Sequence, residues 1–222
     1  MTGDELNTQL GFRLEDTAES IFSKQQKFDA INNAIKQVVA LVDNHYLPEL
    51  ERRVNGAIST GTDGSRYVGY STLWSEDTHI PMRHNIVAIK DISGGTHKKF
   101  FTIINAEDAK TTDNAYLSGT TANPVAWFFD ERIYIQPDTI SDIQVWYIRV
   151  PSEYDYSSAS STDDECELNA VLEPVVLDLA EAELWRSDGN LNRANGALQN
   201  GMSVIQVLNG RLNTDTTEKG IN

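Results

Sequence analysis

Trp127-Phe-Phe-Asp-Glu-Arg-Ile-Tyr-Ile-Gln-Pro-Asp138 and, shortly after it, Ile143-Gln-Val-Trp-Tyr-Ile-Arg-Val-Pro151 set aromatic, β-branched runs around short polar turns. Such side chains suit a pleated, half-buried surface, and Asp130-Glu131 and Pro137-Asp138 are turn chemistry, so the stretch predicts an antiparallel meander. In the last run the usual alternation fails. Ile143, Val145 and Tyr147 would line one face while Trp146, Ile148 and Val150 line the other, so both faces are apolar. The second face must then be covered by the protein's own helices or by another copy of the chain. Trp127, Trp146 and Ile148 are therefore candidate subunit-interface residues.

Upstream, strand patterns fall at 66–73, 85–92, 99–104, 125–129 and 132–136, separated by Gly61-Thr-Asp-Gly64 and Ser93-Gly94-Gly95, with a short helical turn at 106–110. Before them a helix is expected over 23–44. Its apolar residues Phe28, Ile31, Ile35, Val38, Val39 and Val42 fall on one helical face, Ser20 or Ser23 supplies the N-cap, and Pro48 stops the pattern. Leu6, Leu10 and Leu14, four apart, predict a shorter, uncapped helix over 4–15.

Downstream, an acidic, Ser-rich loop over 152–167 leads to two amphipathic helices, 168–186 and 191–212. Val171, Leu172, Val175, Val176, Leu179, Ala182 and Trp185 form the apolar face of the first. Leu191, Ala194, Leu198, Met202, Ile205 and Leu208 form that of the second, where Gly196 and Gly201 offer close helix approach. The turn Ser187-Asp188-Gly189-Asn190 makes the pair a hairpin. The fold class is thus α+β: a helical bundle from 1–45 and 165–213, an inserted antiparallel β-domain over 46–164, and a flexible tail over 214–222.

Four short segments carry a family resemblance. Phe28, Ile31, Asn32, Ala34 and Val38 match a first long helix; 129–137 match a strand ending in proline; 145–151 match a next strand ending Tyr-x-x-x-Pro; and 168–184 match the helix that follows. Across 20–212 the chain resembles the head-tail connector (adaptor) proteins of tailed bacterial and archaeal viruses. That resemblance implies a structural virion protein assembled in the host cytoplasm as a homo-oligomeric, dodecameric ring below the portal protein. The ring would extend the channel for double-stranded DNA, which passes without specific binding, and join the next neck or tail-completion protein. It further implies that Thr214, Asp215, Thr216, Thr217, Glu218, Lys219, Gly220, Ile221 and Asn222, polar and aperiodic, order on contact with the portal.

Composition narrows the alternatives. With 33 acidic against 18 basic residues the formal charge is -15, which repels a phosphate backbone. Arg52-Arg53 and Lys98-Lys99 read as isolated, solvated pairs. The single cysteine, Cys166, lies among Asp163, Asp164, Glu165 and Glu167, whose charge disfavours a nucleophilic thiolate. Nothing reaches the ~18 consecutive apolar residues of a membrane span, so no membrane partner is expected. Phosphate-loop, zinc-protease and nucleophile-elbow motifs are missing, and His79, His84 and His97 match no ligand spacing. No enzyme activity, metal or cofactor is expected. The alternative is a carbohydrate- or receptor-binding virion module, with Trp74 and Trp127 as stacking rings.

Overall fold

A computed structural model describes residues 1–74, 85–94, 99–109 and 118–218, with side chains to residue 211. In chain order the elements are α1 (Gly3–Arg13), α2 (Lys24–Leu41), two 3-10 turns (Asn44–Tyr46 and Pro48–Leu50), β1 (Glu51–Ala57), β2 (Ser59–Thr60), β3 (Arg66–Gly69), α3 (Tyr70–Leu73), β4 (Ile86–Asp91), β5 (Thr102–Ile104), α4 (Ala106–Ala109), β6 (Val125–Phe129), β7 (Arg132–Gln136), β8 (Asp142–Ile148), α5 (Ala159–Thr162), α6 (Glu173–Ser187) and α7 (Leu191–Glu218). They form two compact units: a helical one from residues 1–50 and 150–222, and a β unit, Glu51–Arg149. The α+β class with a C-terminal helix hairpin holds. The boundary differs from expectation, because residues 46–50 and 150–164, including most of the acidic loop, belong with the helices.

Local chemistry explains the helix ends. Thr2 and Glu5 form a capping box on α1, a cap not expected from the sequence, and Leu6, Leu10 and Leu14 are fully buried. Ser23 and Gln26 form another on α2. That helix stops at Leu41 rather than residue 44 because the Asp43 side chain accepts from His45 N at 2.9 Å, nucleating a 3-10 turn in place of another helical turn. α6 begins at Glu173, with Pro174 in its first turn where a missing N–H costs nothing, so Val171 lies outside it and is exposed. Leu191, at the start of α7, is also exposed. Gly189 adopts φ +84° at the end of α6, the left-handed conformation that reverses the chain.

A buried ion pair anchors the turn between α1 and α2. Asp16 accepts from Ser20 N (2.7 Å), Ile21 N (3.1 Å) and Phe22 N (2.9 Å), and Lys27 Nζ donates to the Asp16 carbonyl at 2.6 Å with its carboxylate 3.4 Å away. Burial opposes ionisation of Asp16, but the amide donors of Phe22, Ile21 and Ser20 together outweigh it and hold the carboxyl well below its ordinary range.

The two glycines of α7 differ. A Cβ on Gly201 would lie 3.3 Å from Asp178 Cβ and from Leu179 Cδ2, whereas one on Gly196 would meet nothing within 4 Å. Close helix approach therefore belongs to Gly201 alone. Gly196→Ala should raise stability by about 1 kcal/mol, the helix-propensity difference, while Gly201→Ala gains nothing or loses; urea denaturation of both variants checks the contrast.

The β unit holds two sheets, a three-stranded antiparallel one ordered β1-β8-β4 and a five-stranded one ordered β2-β3-β7-β6-β5. In the second, β5 runs parallel to β6, so the unit is not wholly antiparallel. β6 and β7 form the expected hairpin, turning at Asp130 (φ 48°) and Glu131 (φ 54°). The expected meander ends there. Pro137 has no N–H to extend the ladder, the chain crosses over with Ile140 buried, and β8 becomes the centre of the other sheet. The run 66–73 likewise divides into β3 and the helical turn α3, which delivers Leu73 and Trp74 to the core. Inner faces of both sheets share one core that includes Val68, Trp74, Ile89, Ile133, Ile143, Val145 and Tyr147.

Candidate interaction surfaces

The outer face of β8 is where the failed alternation is resolved. Trp146 is half-buried, its ring roofed by the Arg53 guanidinium at 4.0 Å and met edge-on by Phe100 at 6.1 Å, with Lys90 Nζ 5.3 Å from the Phe100 ring centre. Register explains the grouping. Arg53 and Ala88 flank Trp146 on β1 and β4, and small Ala88 lets Phe100, bridged to Lys90, reach across. Trp146 Nε1 donates to Gln144 Oε1 (2.9 Å), whose amide donates to Asn55 Oδ1 (3.1 Å), so the ring is held from below. Two cations and two aromatics thus share one exposed face. Arg53 is no isolated solvated residue, and the sequence hides the grouping because Arg53 lies 93 positions and Phe100 46 positions from Trp146.

Ile148 does not belong to that surface. It is 1% exposed and is a core residue, which corrects its assignment as an interface side chain.

Trp127 lies on the outer face of the five-stranded sheet. It stacks on Tyr134 (5.6 Å, 11°), Tyr134 meets Tyr67 (5.8 Å), and Arg132 lies over Tyr67 at 4.5 Å. Phe129, on the same strand, is 62% exposed. This is a second aromatic face, but Trp74 does not extend it. Trp74 is 4% exposed and packs edge-on against Tyr70 and Tyr147, so one of the two rings of the carbohydrate reading is in the core.

In the helical unit a groove of about 320 Å³ is lined by Ile35, Tyr154, Glu153, Asp164, Glu165 and Glu167 among others. Lys36 pairs with Glu153 at its rim. Cys166, beside it, is half-buried, and burial is the main cause of its raised thiol pKa, with Glu173 adding to it against an opposing Leu168 amide. The reduced reactivity was expected; its leading cause is burial rather than the adjacent carboxylates.

Of the tail, Thr214, Asp215, Thr216, Thr217 and Glu218 continue the backbone of α7, so the helix runs past the expected end at Leu212, while Lys219, Gly220, Ile221 and Asn222 lie outside the described residues. So do His79, His84 and His97. Among the described residues no cluster of three or more His, Cys, Asp or Glu could hold a metal, and no helix is long and apolar enough to cross a membrane. In the Gly61–Ser65 loop, Asp63 Oδ1 accepts from Ser65 N (3.0 Å) and Ser65 Oγ (2.6 Å), the bonding of a local turn.

Charge is divided unequally between the units. Of the 33 acidic and 18 basic residues, 12 and 10 fall within Glu51–Arg149, leaving 21 and 8 in the helical unit, which therefore carries -13 of the -15. No family model and no curated protein matches the chain.

Proposed function

We propose that this chain is a structural head-tail connector of a tailed virus, a ring-forming adaptor between portal and neck. One observation carries the reading. The chain leaves a helical unit after Leu50, completes a two-sheet β unit, and returns at Val150 to close the same helical unit with a helix hairpin. That order, a β-domain inserted between N-terminal helices and a C-terminal helix pair, is the one the sequence resemblance implies for connectors. Exposed aromatic faces on both sheets supply contact area of the kind interfaces favour. A helical unit at -13 repels a phosphate backbone, so DNA threading such a ring would stay mobile. The test is imaging of purified protein mixed with the portal of its own virus: a second ring stacked on the portal is expected, and portals that remain bare at saturating protein overturn the reading.

The tail gives a second test. Deleting 214–222 should change folding stability by less than about 0.5 kcal/mol, as for surface changes away from special features. Every copy in a ring would lose its portal anchor together, so attachment falls steeply. Heads that fill but leak DNA or lack tails are the expected phenotype; fully infectious particles would remove the tail from portal docking.

A further inference from the structure

Beside the Asp16–Lys27 pair the helical unit holds a cavity of about 210 Å³, lined in part by Asn7, Gly11 and Phe12 of α1, Glu19 of the following turn and Lys27 of α2. Two of its polar groups have hydrogen-bonding capacity left over. The Asn7 side-chain oxygen is shut off from solvent and has no hydrogen-bond partner, a costly state for a carboxamide. Lys27, 2% exposed, donates to the Asp16 carbonyl at 2.6 Å and faces the Asp16 carboxylate at 3.4 Å. An ammonium has three N–H groups, and no third acceptor is present among the described residues. Gly11 keeps the space open. It is buried one helical turn beyond Asn7, and a Cβ there would lie 3.7 Å from Lys27 Nζ and 3.5 Å from the Asp16 carbonyl oxygen, so a larger side chain would take up this room.

The charges around the cavity select its occupant. Lys27 at the buried end repels a cation. Its own charge is already matched by Asp16, and exposed Glu19 adds a negative charge to the lining, so an anion gains nothing either. What remains is a neutral group that accepts from Lys27 and donates to Asn7, and a primary carboxamide carries both functions. The volume lies below the roughly 300 Å³ at which small-molecule sites begin, which suits one side chain rather than a metabolite. Phe12, 60% exposed, offers apolar contact to an aliphatic stem. We infer that this cavity is an anchor pocket for the carboxamide of an Asn or Gln side chain of a partner protein, its oxygen accepting from Lys27 Nζ and its NH2 donating to Asn7 Oδ1. The pocket lies wholly in the helical unit, and the inference does not rest on the connector reading.

Nuclear magnetic resonance titration of the full, isotope-labelled chain with N-acetylglutamine amide as the probe should give saturating shifts at the backbone amides of Asn7, Gly11 and Thr17. The carboxylate isostere, N-acetylglutamate α-amide, should bind about tenfold more weakly or worse, because it lacks the donor for Asn7 and brings a charge. Asn7→Ala removes the acceptor and Gly11→Ser fills the space; each should weaken the probe about tenfold or more. Both substitutions raise helix propensity, so the rest of the spectrum should be kept, which shows that the variants are folded. Four results overturn the inference: no saturating shift from the probe, which leaves the cavity to water; equal binding of amide and carboxylate; unchanged binding in either variant; or tighter binding of free L-glutamine than of the capped probe, which assigns the pocket to a metabolite. None of these touches portal imaging, so the connector reading and this pocket fail separately.

Discussion

Asp16→Ala should cost the helical unit about 3 to 5 kcal/mol, the range for breaking one side of a buried ion pair. Its partner Lys27 is 2% exposed and would be left as an unmatched buried cation, while the amides of Ser20, Ile21 and Phe22 lose their acceptor. Glu15 and Glu19, both held at positive φ (57° and 55°), would lose the bonds that keep that turn in shape. Against a total stability of roughly 5 to 15 kcal/mol, such a loss is enough to cut soluble yield. Asp16→Ala with Lys27→Met should recover part of it by removing the stranded charge. The pH dependence follows from the direction of the shift. The carboxyl binds its proton more weakly in the folded chain than at its ordinary value of 3.8, so its contribution is fully present above about pH 4 and is lost as pH falls further. Asp16→Asn should therefore flatten the acid limb of the stability profile. Urea midpoints measured from pH 2.5 to 7 check this; an unchanged acid limb would mean that other carboxyls carry it.

Asp16 also shows what the sequence concealed. An acid in a polar stretch reads as solvent-exposed, and only the fold of the 15–22 turn makes it a buried acceptor. Periodicity, by contrast, was legible wherever a single face meets a core. Phe28, Ile31, Ile35, Val38 and Val39 are all buried as their spacing predicts. The hairpin of α6 and α7 and the β6-β7 turn were legible for similar local reasons. Strand partners were not. Sequence neighbours pair often, which made a meander the natural expectation, yet β8 is the middle strand of a different sheet, and on its outer face Trp146 is covered by Arg53 and Phe100. That misplacement had a further consequence. It hid the alignment of Arg53, Trp146 and Phe100, which depends on register between strands far apart in the chain, and it left Ile148 assigned to a surface when it is in the core.

The exposed or buried state of a tryptophan is similarly beyond local pattern, and Trp74 and Trp127 make the contrast measurable. Both were read as exposed stacking rings. Trp74→Ala should cost about 3 to 5 kcal/mol, because its ring fills the β-unit core with Tyr70 5.0 Å and Tyr147 5.5 Å from it. Trp127→Ala should cost about 1 kcal/mol, the scale of one cross-strand aromatic pair on an outer face. Trp74→Phe should lose less than Trp74→Ala, since it keeps most of the ring volume and deletes an indole N–H that has no acceptor among the described residues. Each unit has its own core, so the damage should be local. Hydrogen exchange of Trp74→Ala should show early loss of protection in β3, β7 and β8 while α2 and α6 keep theirs, and Asp16→Ala should show the reverse. Equal loss of protection in both units from either variant would mean that the two cores unfold as one cooperative body. In that case the β unit could not be treated as an insertion that folds on its own, and its exposed faces would have to be weighed together with the helices.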